Sequence, residues 1–249
     1  MRTDFDLQFL QNCANEDLCA LCNILMYDNQ GKLHLNESLS NSNSYISCYP
    51  DNMREMSQDL AFELQCYGGN SILNLIRHGY GPSYESIVYD VCKRMKVQGI
   101  NKHDTTEEME QKLLISVLSK AIGELSEERV RSIMEECGIR GYDFTKKGLI
   151  AALLALQIMN RNVFVVVINS VMKMLSRILV SRGIMMVGLG TFSRGLGLLF
   201  GPVGWLLFTG WAVWDLSGPA YRVTVPAVIQ IAYMRVKHQA ISNLNPVSV

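Results

Sequence analysis

Apolar positions in this chain recur at spacings of three and four, the interval at which one side of an α-helix returns to the same face. Leu7, Phe9, Leu10 and Cys13 open the pattern, and Leu18, Leu21, Cys22 and Leu25 continue it. Asn15 stands where an N-cap belongs, with Glu16 and Asp17 in the first turn, where the helix dipole favours acids. Asp28-Asn29-Gln30-Gly31 predicts a turn. The polar stretch 36–49 predicts a short helix and a loop, closed by Pro50. Asp51 or Asn52 is placed to cap a helix reaching Tyr67, with Met56, Leu60 and Leu64 inward. Gly68-Gly69-Asn70 breaks it, residues 71–77 read as a short helix, and the His78-Gly79-Tyr80-Gly81-Pro82 run is a hard stop.

Further on, the punctuation is clearer. Ser83 caps a helix with Ile87, Val88, Val91 and Met95 inside. Thr105 and Glu108 form a capping-box pair ahead of Leu113, Leu114, Val117 and Leu118. Ser126 caps the next helix, Glu127 and Glu128 follow it, and Gly138 sits at the C′ position. Thr145 starts one long apolar helical pattern over 146–182. A glycine-rich apolar stretch, 183–214, then leads through a Gly218-Pro219 break to a last helix over 226–237, capped by Thr224 and opened by Pro226. No useful alternation of period two occurs. The expected class is all-α: a helical part over 1–145, then a long apolar helix, a Gly-rich apolar hairpin and a terminal helix within 146–249.

Charge sharpens this division. The chain is neutral overall, yet residues 1–145 hold 22 acidic against 13 basic residues, net −9, while 146–249 hold 10 basic residues against the single acid Asp215, net +9. Such asymmetry points to two jobs or to two halves that attract each other. All seven cysteines fall in the acidic part, and the start, Met-Arg-Thr-Asp-Phe-Asp, lacks the apolar run of a secretory signal. Free thiols in a reducing cytoplasm are expected, with the protein at, or inserted in, the inner membrane.

The membrane expectation comes from 195–214, twenty uncharged residues, enough for a helix of roughly 30 Å. Trp205, Trp211 and Trp214 cluster toward one end with Tyr221 beyond, as an interfacial aromatic belt does. Gly195, Gly197 and Gly201 permit close helix contact, and Gly201-Pro202-Val203-Gly204 breaks or kinks the run. The same composition also suits a tight hairpin buried inside a soluble bundle. On the preceding helix, Asn162, Asn169, Lys173, Ser176 and Arg177 make a narrow polar stripe, and Lys173, Arg177 and Arg182 give it a basic end. That stripe suits anionic headgroups or the acidic half of the same chain. The expected partners are membrane lipid or an apolar protein, with a homo-oligomer left open. Nucleic acid is not expected, because the cations alternate with aliphatic rather than stacking side chains.

Catalytic signals are weak. Cys19-Ala-Leu-Cys22 lacks a second ligand pair, and Cys22 shares the apolar face of Leu18, Leu21 and Leu25, so a small buried hydrophobe is expected there. Gly68-Gly69-Asn70-Ser71 lacks the lysine of a phosphate loop, and the Gly-x-Gly pieces at 188–190 and 195–197 lack a preceding strand. Arg77, His78 and Tyr80 cluster only locally. No catalytic residue, cofactor or metal is expected.

Two stretches carry a family resemblance. One is Asp6-Leu7-Gln8-Phe9-Leu10 with Glu16-Asp17-Leu18, Glu63-Leu64-Gln65 and Gly68-Gly69-Asn70-Ser71-Ile72. The other is Gly218-Pro219-Ala220-Tyr221-Arg222-Val223-Thr224-Val225-Pro226, continuing through Ala232. Together they resemble the bacterial YaaW-like proteins, a family grouped by sequence with ubiquinol–cytochrome c chaperones. The resemblance covers nearly the whole chain and implies no catalytic residues. The Gly218-Pro219 turn, Tyr221, Arg222 and Pro226 are read as structural anchors, with Arg222 bonding helix-end carbonyls or Asp215. Two function classes follow: a non-enzymatic, membrane-associated interaction protein in stress response or defence, or a soluble chaperone-like scaffold with its apolar hairpin buried.

Overall fold

The computed structural model describes residues 4–28, 32–34, 37–68, 81–181 and 221–244. Nine α-helices lie among the described residues: α1 (Asn15–Met26), α2 (Asn43–Cys48), α3 (Ser57–Gly68), α4 (Tyr84–Arg94), α5 (Thr106–Gly123), α6 (Glu127–Glu136), α7 (Lys146–Met159), α8 (Arg161–Ser181) and α9 (Tyr221–Leu244). The class is all-α, as the periodicity predicts. Leu7 and Leu10 lie on a 3-10 helix, Phe5–Asn12, instead of an α-helix.

Several caps form as read. Thr105 Oγ1 accepts from the Glu108 N–H at 3.3 Å, while Glu108 Oε2 accepts from the Thr105 N–H at 2.8 Å. Ser83 Oγ accepts from the Ser86 N–H, and Thr145 Oγ1 from the Gly148 N–H. Gly138 takes φ 66°, the left-handed conformation of a C′ glycine. Ser126 occupies its cap position without a side-chain bond.

Other expectations are corrected. Asn15 is the first helical residue and not the cap; its amide bonds the Pro50 carbonyl and the Met53 N–H, tying α1 to the loop before α3. That loop turns at 53–56, so Asp51 and Asn52 do not cap α3. The single long helix over 146–182 is two helices. Asn160 adopts φ −153° and ψ 92°, and its Oδ1 caps α8 by accepting from the Val163 N–H at 3.2 Å. Apolar periodicity passes through such a break unmarked, because no glycine or proline is there. The last helix begins at Tyr221, five residues before Pro226, and runs to Leu244. Proline at that position withdraws one N–H from the Arg222 carbonyl, close to the helix start, where the loss is least. The Gly-rich hairpin lies outside the described residues, as do the short helix at 71–77 and the cluster of Arg77, His78 and Tyr80.

One contiguous core joins all these helices. Helix α9 runs through its middle: Val225, Val228, Ile229, Ile231, Ala232, Tyr233 and Met234 are all buried, on every side of the helix. It packs against α8, α1, α5, α4 and α3 and touches the 3-10 segment. Residues from the basic half therefore sit inside a shell built largely by the acidic half. Cys22, wholly buried on α1, is the small core residue that its periodicity predicts.

Gly148 marks the closest approach of chain to chain at the start of α7. A Cβ there would lie 2.0 Å from the Asp143 carbonyl oxygen, so backbone must shift to admit it. Gly148→Ala is expected to lower stability by about 1–3 kcal/mol. Gly123→Ala, with nothing within 4 Å of its added methyl, is expected to be neutral or mildly stabilising. Urea denaturation of the two variants checks the contrast.

Candidate functional site

The polar groups of the fold converge where α9 crosses the acidic helices. Arg235 follows the buried apolar stretch 231–234 of α9, and its guanidinium reaches three places at once. Nε donates to Glu110 Oε2 at 2.5 Å, and the second nitrogen donates to the Asp6 carbonyl at 2.7 Å and to Glu110 Oε1 at 3.3 Å. Its Cζ lies over the Phe9 ring, 4.1 Å from the ring centre. Glu110 Oε1 also accepts from the Tyr84 hydroxyl at 2.7 Å. Tyr84 and Glu110 are both buried.

Around this centre the other contacts repeat the logic. Lys237 pairs with Asp17 at 2.6 Å. Gln239 donates to Glu107, and Gln230 donates to the Asp17 carbonyl. Asp6 accepts from the Thr106 hydroxyl at 2.7 Å, and Asp4 accepts from the Tyr84 N–H and from Gln65. Asp6 and Phe9 belong to the 3-10 segment and Asp4 caps it, so that segment is held in place by α3, α4, α5 and α9 together.

Burial pushes the Glu110 carboxyl up, and the Arg235 guanidinium pulls against it. Burial lowers Arg235, but Glu110 outweighs that and holds the guanidinium above its ordinary value. Tyr84 is raised well above the phenol range by burial and by the neighbouring carboxylate, so its proton stays on oxygen. The arrangement consumes its own donors and acceptors. Its chemistry is that of a clasp, and none of its groups is poised as a nucleophile or base.

The thiols are equally quiet. All seven cysteines are free. Cys22 contacts Met26 through sulfur, and Cys19 donates to the Pro50 carbonyl at 3.2 Å. Burial pushes Cys13, Cys22 and Cys92 each up to about 12. Among the described residues no three His, Cys, Asp or Glu side chains gather as a metal site.

The residues singled out in the sequence fall elsewhere. Gly195, Gly197, Gly201, Pro202, Gly204, Trp205, Trp211, Trp214, Arg182, Gly218 and Pro219 lie outside the described residues. Lys173 and Arg177 lie on α8. Of the polar stripe, Asn162 is exposed but Asn169 is buried, its Oδ1 without a partner. Tyr221 begins α9, half-buried beneath the Arg94 guanidinium at 5.3 Å, whereas Arg222 is exposed and Pro226 half-buried. The clasp residues Tyr84, Glu110 and Arg235 were not among the sequence candidates. The available signal was a charge on a buried stripe: Glu110 falls among Met109, Leu113 and Leu114, and Arg235 among Met234 and Val236.

Fold and clasp define an all-helical protein whose last helix is ion-paired to α1 and α5. The chain belongs to the UPF0174 family, which includes YaaW. A UPF0174 protein of Helicobacter pylori (strain J99) is 35% identical over 95% of this chain and 92% of its own length. UPF0174 protein YaaW of Escherichia coli (strain K12) is 36% identical over 93% of this chain and 94% of its own. A UPF0174 protein of Helicobacter pylori (strain 26695) is 32% identical over 83% of this chain and all of its own length. A family model described as Domain of unknown function (DUF3944) matches residues 1–35, the stretch that supplies Asp6, Phe9 and Asp17 to the clasp. No solved structure matches the chain.

Glu110→Ala strands a buried guanidinium and is expected to cost about 3–5 kcal/mol, read as a lower urea midpoint. Adding Arg235→Met to it recovers much of the loss, because no unpaired charge remains. The thiols set a separate alkaline limit. Unfolded thiols ionise near 9 and the buried ones near about 12. The unfolded state therefore loses protons first, and stability falls as pH rises through that window. Urea midpoints at about pH 8 and about pH 10.5 are expected to differ in that sense. Cys13→Ala with Cys92→Ala shrinks the difference.

Proposed function

We propose that this is a non-enzymatic interaction protein that works at a membrane surface, with the helical bundle as its cytoplasmic body and residues 184–214 as its lipid contact. The observation that carries this reading is an uncharged run of twenty residues, 195–214, whose flanking helices are held by the fold. The helices before and after the run in the sequence, α8 and α9, pack against each other. The groups at the centre of the bundle are spent on one another, which supports a structural role for them. The residue sign also fits: no acid occurs between Asp143 and Asp215, while seven cations do, and cations favour the cytoplasmic, anionic face of a membrane.

The soluble chaperone-like scaffold remains the second reading. In its favour, no helix among the described residues is long and apolar enough to cross a membrane, and buried company is available on the α8–α9 pair. On the first reading a tagged full-length chain expressed in bacteria is recovered in the membrane fraction and withstands carbonate washing. The same chain with 184–214 replaced by a short Gly/Ser linker moves to the supernatant. Full recovery of both in the supernatant rejects the membrane reading and leaves the scaffold.

A further inference from the structure

Around the corner between α7 and α8, five large apolar side chains are exposed and unused by the core. Ile158 and Met159 are 85% and 81% exposed, and Leu154, Val163 and Val166 are 45%, 42% and 37% exposed. Single exposed aliphatic residues are ordinary, but five neighbours in thirteen residues make a patch. The opposite side of α8 does the packing: Phe164, Ile168, Val171 and Met172 are buried. On the outer side, positions 163, 166, 170, 173 and 177 follow one another at helical spacing. Val163, Val166 and Ser170 therefore share a line with the positions of Lys173 and Arg177. The exposed asparagines Asn160 and Asn162 border the corner.

From this placement we infer that the outer line of α8, together with Ile158 and Met159, seats the protein on an anionic bilayer surface. Apolar side chains enter the headgroup–acyl boundary, and the cations of this carboxylate-free stretch favour acidic headgroups. The sign of charge selects this occupant. The whole stretch 144–214 is free of carboxylates and holds seven cations. A second copy packed about a twofold axis would bring the same cation-bearing line against itself, which like charge opposes. The inference rests on the membrane reading of 184–214 and extends it: α8 lies along the surface and hands the chain to that segment.

The test uses the full-length protein in flotation with phosphatidylglycerol-containing vesicles and, separately, pure phosphatidylcholine vesicles. Wild type is expected to float with the anionic vesicles, less so at high salt, and weakly with the neutral ones. Ile158→Asp with Met159→Asp is expected to weaken binding at least about tenfold. Lys173→Gln and Arg177→Gln are expected to weaken it about fivefold each. Both Asp sites are solvent-exposed, so the circular dichroism melt should stay unchanged. Ile158→Ser with Met159→Ser serves as a second pair if it does not. Undiminished flotation of the Asp or Ser pair overturns this inference while leaving 184–214 as the lipid contact. Failure of wild type to float with either vesicle overturns both readings. Loss of a wild-type dimer in the variant, with lipid binding intact, overturns it in favour of a second copy.

Discussion

The rest of the structure depends on one demand: a helix that is apolar on all sides must be surrounded. Over 225–234 helix α9 comes close to that description, and α8 together with the acidic helices surrounds it. An unbroken apolar cylinder would leave its rotation and its height weakly specified. Arg235 and Lys237 remove that freedom, because each must find a carboxylate on leaving water. Glu110 and Asp17 lie on different helices, so satisfying both fixes α9 in angle and in register. The buried pairs are better regarded as specifying the arrangement than as strengthening it, since a hydrophobic pair of similar volume often does as well energetically.

The same constraint explains the 3-10 segment. Asp6 and Phe9 face a helix from the far end of the chain, while Asp4, capping the segment, faces α4. Asp4 holds the first turn of α4, Asp6 offers its carbonyl to the guanidinium, and the guanidinium lies over the Phe9 ring. A tighter helix than α, with its cap, brings these three groups to bear over a short span.

Local signals in the sequence show themselves faithfully. The capping box at Thr105 and Glu108, the caps at Ser83 and Thr145, the glycine at 138 and the buried Cys22 all need only neighbours a few residues away. The failures are those in which a side chain answers to something distant. Asn15 abandons its cap for partners 35 and 38 residues on. Asn160 splits an apolar run by capping a second helix, with neither glycine nor proline to announce it. Pro226 looks like a first residue, yet burial carries the helix past it. The clasp is the extreme case. Opposite net charges of the two halves left attraction as one of two readings, and nothing local shows that Glu110 will meet a residue 125 positions away.

The placement of α9 sets a condition on biosynthesis. A ribosome adding roughly 5–20 residues per second needs roughly 12–50 s for this chain. The helices that form the shell leave the exit tunnel before α9 does. Their apolar faces have no filler until positions near 240 emerge, and contacts spanning more than 200 residues close slowly. The nascent shell is therefore an open, sticky cup, and the interval before it is filled is when trigger-type holdases and proteases compete for it.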